Sequence, residues 1–229
     1  ANWKAHPQPL EEAKELFNLE LATADQFPAV QTVICPPPVF LEELVKINSL
    51  HLGAQDIDIP RPLQSLIGHV LVGHSDRRYG LGETDEIVNQ KLKIALEMAI
   101  VPVLLVGERE RGESREKVLT EQLEKDLAGL SADQVSKILF TYEPVWAIST
   151  NPDGEADTPE NAVSAIKFIQ QFLEKKYGLP PVPGLYGGSV NESNAADLLK
   201  HPEIGGAVVG GASLRAEEFA NILKIASSL

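Results

Sequence analysis

Cysteine is nearly absent: Cys35 is the only one in 229 residues. A single thiol cannot build an internal disulfide framework and fits a reducing compartment, so a cytoplasmic location is expected. Long apolar runs are missing too, and no stretch approaches the roughly 20 residues that a transmembrane helix needs. The start, from Ala1 to Pro9, lacks the basic-then-apolar order of a secretory signal. Positive charge is scarce: 20 Lys and Arg face 33 Asp and Glu, leaving −13 at neutral pH. Such a chain repels nucleic acid and anionic membrane surfaces, so neither is expected as a partner. An anionic substrate would have to be caught by local donors, for which backbone N–H groups at helix N-termini are suited.

What is present is alternation. Hydrophobic and charged fractions of 43% and 23% are ordinary for a folded domain, which argues against disorder. Short β-branched runs predict strands at Gln31–Cys35, Leu50–Gln55, Val70–Gly73, Val101–Val106, Lys137–Tyr142, Val182–Tyr186 and Gly206–Val209, with Ala1–Lys4 ending another. Amphipathic stripes lie between them. Leu10, Ala13, Phe17 and Leu21 share one helical face, as do Val88, Leu92, Ala95 and Ala99. A third stripe is Ala162, Ala165, Ile166, Ile169 and Leu173. Thr158-Pro159 opens that last helix as cap and first residue, and Gly178 can close it. About eight β-α units without linker or repeat predict one domain over residues 1–229. Its expected fold is α/β: a (β/α)₈ barrel, a closed eight-stranded parallel sheet ringed by helices. An open doubly wound sheet is the alternative, but Asn2-Trp3-Lys4 stands where its glycine-rich fingerprint would be.

In such a barrel the chemistry sits at the C-terminal ends of the strands. Asn2 and Lys4 are two apart on an extended chain and point to one face. Taken alone, that lysine reads more simply as a solvated side chain. His74 follows the fourth strand and is followed at once by Ser75, Asp76, Arg77 and Arg78. A ring nitrogen accepting from a helix N-terminal N–H would be held neutral, freeing the other nitrogen to donate to a substrate oxygen. Glu143 follows an apolar strand and is boxed by Tyr142, Pro144, Val145 and Trp146, as a desolvated general base would be. Gly187-Gly188-Ser189 and Gly210-Gly211-Ala212-Ser213 follow the seventh and eighth strands, where phosphate sites recur in these barrels. Ala147–Gly154 reads as a long mobile loop after the glutamate.

These motifs, in this order, resemble the triosephosphate isomerase family over nearly the whole chain. They are Asn2-Trp3-Lys4, Gly73–Arg78, Gly82–Asp85, Tyr142–Ile148, Tyr186–Val190 and Val209–Leu214. The resemblance implies interconversion of dihydroxyacetone phosphate and D-glyceraldehyde 3-phosphate through an enediolate, with no metal and no organic cofactor. It assigns Glu143 as the base, His74 as the electrophile, Lys4 as a charge stabiliser and Asn2 beside it. It assigns the N–H groups of Ser149, Ser189, Gly210 and Gly211 to the phosphate, and Pro144–Thr150 to a lid that excludes water. The neutral histidine and closing lid are long-established features of that family. The only partner implied beyond the triose phosphate is a second copy, giving a homodimer.

Several positions depart from the family pattern. Asp76 stands in place of a glutamate that pairs with the lysine, and its shorter arm is expected to loosen Lys4 or to need a bridging water. Ser149 replaces a glycine, and an acidic insertion, Asn151–Asp157, follows it. After Gln55 the family's long interface loop is reduced to Asp56–Pro62. Natural shortening, an engineered monomer and residues missing from the sequence would each produce this. The abrupt start at Ala1 favours the last, and a genuine shortening would count against the homodimer. Two other functions compete: a barrel that binds phosphate without catalysis, and a metal-dependent sugar-phosphate epimerase. The second would need clustered histidines, and only His74 is well placed.

Overall fold

Valine and leucine runs form the strands His69–Val72 and Val101–Val106 for the usual reason, because β-branched and bulky side chains pack well on a pleated surface. The computed structural model describes residues 1–148 and 157–229. Six strands make one parallel sheet in chain order: β1 (Gly53–Ala54), β2 (His69–Val72), β3 (Val101–Val106), β4 (Leu139–Tyr142), β5 (Gly184–Tyr186) and β6 (Ile204–Ala207). The two expected strands at Ala1–Lys4 and Gln31–Cys35 are each reduced to single-residue parallel bridges, Asn2 to Cys35 and Ile34 to Leu52. Pro36, Pro37 and Pro38 account for the early end of the second, since proline has no N–H for a ladder.

Backbone hydrogen bonds nevertheless run around a ring. Cys35 N–H donates to Ala1 O, Gly53 N–H to Ile34 O and Val208 N–H to Tyr186 O, each at 2.8 Å. Asn2 N–H donates to Val209 O, also at 2.8 Å, joining the last strand region to the first. The final strand begins at Ile204 rather than Gly206. A register shift between Gly184 and Leu185 against Ile204 and Gly206 leaves Gly205 as the extra residue.

Eight helices of varied length lie between the strands among the described residues: α1 (Leu10–Gln26), α2 (Leu41–Leu44), α3 (Asp85–Glu97), α4 (Arg115–Asp126), α5 (Ala132–Val135), α6 (Pro159–Tyr177), α7 (Ala195–Leu199) and α8 (Ala216–Ser227). The α6 signals act as expected: Thr158 Oγ1 accepts from Asn161 N–H, Pro159 occupies the first position, and Gly178 closes the helix at φ 67°. Ala162, Ala165, Ile166, Ile169 and Leu173 are its buried face. Ala99, expected on the α3 stripe, instead lies beyond the helix at φ 57°. The main core fills the space between sheet and helices, with Trp3, Phe17, Leu92, Leu104 and Leu123 fully buried. A smaller cluster of Cys35, Leu71, Val103 and Leu105 is separate from it. No helix among the described residues is long and apolar enough to cross a membrane.

Candidate functional site

β2 delivers His74 through a turn that requires glycine. Gly73 has φ +78°, and a Cβ there would lie 2.8 Å from Arg78 Nη2. The chain then makes a single π-type turn, Asp76–Gly80. Its first N–H, that of Asp76, donates to His74 Nδ1 at 3.1 Å. Nδ1 is therefore an acceptor, and a neutral ring carries its proton on Nε2. Burial pushes the His74 pKa down to about 4; Lys4 and Arg77 add to the effect, and Asp76 opposes it.

β4 delivers Glu143 to the same place. Glu143 N–H donates to Val106 O at 2.8 Å, and the backbones of Gly107 and Glu143 touch. A Cβ on Gly107 would sit 2.1 Å from Glu143 O, so only glycine lets the two strand ends approach this closely. The Glu143 side chain is 3% exposed. Its Oε2 accepts from Ser75 N–H at 2.9 Å, and its Oε1 lies 3.2 Å from His74 Nε2. Burial raises its pKa to about 8, against the smaller opposing pull of the Ser75 N–H and Lys4. Ser75 Oγ is buried beside it.

Lys4 sits in the left-handed region at φ 52°, unusual for a residue with a side chain. Its N–H donates to Asn2 Oδ1 at 3.0 Å, and its carbonyl accepts from Gln55 Nε2 at 2.7 Å. Its ammonium meets Asp76 Oδ2 directly at 3.2 Å. The shorter acid therefore reaches without a bridging water, contrary to expectation, because the turn after His74 brings the Asp76 backbone close.

A cleft joins these groups. Asn2, Lys4, His74 and Glu143 line one part, and the Gly187–Val190 and Gly210–Ala212 turns line the rest. Gly210 O accepts from both the N–H and the Oγ of Ser213, at 2.9 and 2.7 Å, which fixes the second turn. Ser189 N–H is already engaged, donating to Ala147 O at 3.1 Å. Ser149 and Thr150, expected at the phosphate and in the lid, lie outside the described residues. Within the described part of that lid, residues 144–148, Val145–Ala147 form a short 3₁₀ turn.

Arg77 and Arg78 were noted in the sequence, but most of their partners around the site were not. Asp56, 6% exposed, accepts from Lys91 at 2.7 Å and pairs with Arg77 at 2.5 Å; Glu83 closes the square with both cations. Arg78 is buried rather than exposed to substrate. Its Nε donates to Gly73 O at 2.8 Å, Nη1 to Asp85 at 2.7 Å and Nη2 to Asp126 at 2.5 Å. Glu108 Oε1 accepts from Tyr142 OH at 2.7 Å and Trp146 Nε1 at 2.9 Å. The doubled arginine after His74 was a local signal for the second group. The partners of Asp126 and Glu108 are more than 30 residues away in the chain, where no pattern announces them.

Comparison with known proteins agrees with this geometry. The triosephosphate isomerase family model matches residues 1–62 and 64–226. A relative from Dehalococcoides mccartyi (strain 195), named triosephosphate isomerase, is 39% identical over 248 residues, covering 100% of this chain and 96% of its own. Similarly named proteins of Carboxydothermus hydrogenoformans and Aquifex aeolicus are each 37% identical, covering 97% of this chain and 96% of their own. The 248 aligned positions of the first exceed the 229 residues here, so that relative carries segments with no counterpart in this chain. A match of this length, on a parallel α/β sheet bearing paired glutamate and histidine, means that the chain belongs to the triosephosphate isomerase family.

Proposed function

We propose that this chain interconverts dihydroxyacetone phosphate and D-glyceraldehyde 3-phosphate, with Glu143 moving the proton and His74 polarising the carbonyl. The observation that carries the reading is the mutual placement of the two: a buried carboxylate 3.2 Å from the Nε2 of a ring whose Nδ1 is an acceptor. Abstraction of a proton next to a carbonyl needs a strong base, and burial makes the Glu143 carboxylate one. The carboxylate takes a proton from the carbon bearing the hydroxyl group and returns it to the adjacent carbon, while the hydroxyl proton passes to the former carbonyl oxygen. Between those steps the oxygen carries negative charge, which the His74 Nε2–H and the Lys4 ammonium stabilise. The neutral imidazole in this role is the arrangement established for triosephosphate isomerases. Asn2 holds the Lys4 backbone, and Asp76 and Ser75 hold Lys4 and Glu143 respectively.

The phosphate is assigned to the N–H groups of Ser189, Gly210 and Gly211, with Ser149 as a further donor. Glycines at the first two cleft turns support this by letting the backbone approach an anion. The buried reduced thiol of Cys35 supports a cytoplasmic location. The exposed apolar side chains of Val39 and Leu81 support a homodimer. The test is a coupled assay on the purified chain with dihydroxyacetone phosphate. Isomerisation above background is expected; its absence, with phosphate still raising the melting temperature, would leave only a phosphate-binding barrel.

A further inference from the structure

Trp146 and Asp157 stand on either side of the segment between Glu143 and α6, and one hydrogen-bonded series connects them. Trp146 Nε1 and Tyr142 OH both donate to Glu108 Oε1. Asn161 Nδ2 donates to the Tyr142 oxygen at 3.2 Å and to Asp157 Oδ1 at 2.8 Å. The series ends on a different strand, where Tyr186 OH donates to Asp157 Oδ2 at 3.2 Å.

Tyr186 is the last residue of β5, and the Gly187-Gly188-Ser189 turn follows it directly. A Cβ on Gly188 would fall 2.2 Å from the Tyr186 oxygen and 2.5 Å from Cζ. The turn therefore rests on the phenol with no atom between, and the position of the hydroxyl sets the position of the turn. Asp157 is itself well fixed, because its Oδ1 also accepts from Thr158 N–H at 2.8 Å. Three donors converge on this one carboxylate, which alanine could not replace. Asparagine could keep the link with its direction reversed, donating to the phenol oxygen.

We propose that Asp157 is a positioning residue for the phosphate end of the substrate: its carboxylate holds the Tyr186 hydroxyl, and the phenol supports the Gly187–Ser189 turn. The inference rests on the assignment of that turn to the phosphate. Among the described residues, the hydrogen bonds of Asp157 reach the phosphate turn through Tyr186, so its effect should appear in anion affinity more than in the chemical step.

The experiment measures KM and kcat for triose phosphate, and competitive inhibition by inorganic phosphate, in the full chain and three variants. In Asp157→Ala, KM and the phosphate inhibition constant should both rise about tenfold, as expected for a lost hydrogen bond to a charged group. The change in kcat should be smaller, and the melting temperature should stay close to that of the parent. Asp157→Asn should stay within about threefold of the parent on both constants. Tyr186→Phe should match Asp157→Ala, and the double variant should be no worse than Tyr186→Phe alone, because one link is broken twice. Unchanged KM and phosphate affinity in Asp157→Ala would overturn the proposal, as would losses that multiply in the double variant. If Tyr186→Phe does not fold, the contrast between Ala and Asn at position 157 decides alone. A parent chain that neither isomerises triose phosphate nor is inhibited by phosphate overturns the functional reading and this inference together. Failure of Asp157 alone leaves the parent's rates intact.

Discussion

Asp126 and Glu143 are both buried carboxylates, 0% and 3% exposed, yet the chain provides for them in opposite ways. Asp126, at the end of α4, receives a guanidinium: Arg78 Nη2 at 2.5 Å. Among the described residues, Glu143 receives neutral donors, the Ser75 N–H and the His74 ring. The nearest cation of the cleft, Lys4, is bonded to Asp76 instead. Burial raises both pKa values, to about 7 and about 8. Behind the site, charge meets charge and the purpose is to hold Gly73 and its neighbours in place. Inside the site, a carboxylate is kept from its counter-ion, and on the proposed reading that leaves it the proton affinity an enolisation needs.

The comparison can be broken most severely at its catalytic half. Glu143→Gln keeps the shape and the Ser75 contact but cannot accept a proton, so kcat should fall about a thousandfold. Steady-state kinetics on folded protein checks this, and a loss under tenfold would mean that Glu143 is not the base. At the structural half, Arg78→Met strands Asp126 as a buried unpaired charge and should cost about 3–5 kcal/mol in urea unfolding. Adding Asp126→Asn should recover part of that loss; no recovery would show that Arg78 acts mainly through Gly73 O.

The raised Glu143 pKa makes a further distinction. Between the ordinary carboxylate value and about 8, the folded state keeps a proton that the unfolded state has released. Stability from this group is thus present below the unfolded value and lost as pH rises through the folded one. Glu143→Gln removes that loss, so the variant should melt above the parent at roughly pH 9, with the gap closing toward pH 4. The parent's kcat/KM should rise with pH up to about 8, because only the ionised carboxylate is a base. A flat profile, or a variant that melts lower at high pH, would contradict the assignment. The smallest effect belongs to the Lys4–Asp76 pair. The Asp76 side chain is 57% exposed, so Asp76→Asn should change unfolding free energy by under about 1 kcal/mol. A larger change would place that pair with the buried networks.

Much of this arrangement was legible in the sequence because it is local. His74 and its turn, Glu143 among aromatic and proline neighbours, and the Thr158-Pro159 cap are all written within a few residues. So was the barrel class, since alternating elements leave few ways to bury both faces of a sheet. The bridges at Asn2 and Ile34 were over-read as strands, because a hydrophobic run does not reveal where proline or a turn cuts the ladder. Arg78 with Asp126, Gln55 with Lys4, and Asp157 with Tyr186 were not legible: each partnership is made only when the ring closes and distant strand ends meet. The Asp76 reach was misjudged for the same reason, as side-chain length was weighed without the backbone position that compensates for it.

The bond from Ser189 N–H to Ala147 O changes how ligand capture should be counted. This donor is not idle, because a neutral carbonyl accepts from it. On the assignment proposed above, capture is a substitution reaction in which one acceptor leaves as another arrives. The number of hydrogen bonds at that nitrogen is unchanged, so the gain is the difference between an anionic and a neutral acceptor. A neutral ligand of the same shape would gain nothing by displacing Ala147. On that assignment, the Ala147 carbonyl would disfavour uncharged look-alikes without any group dedicated to repelling them.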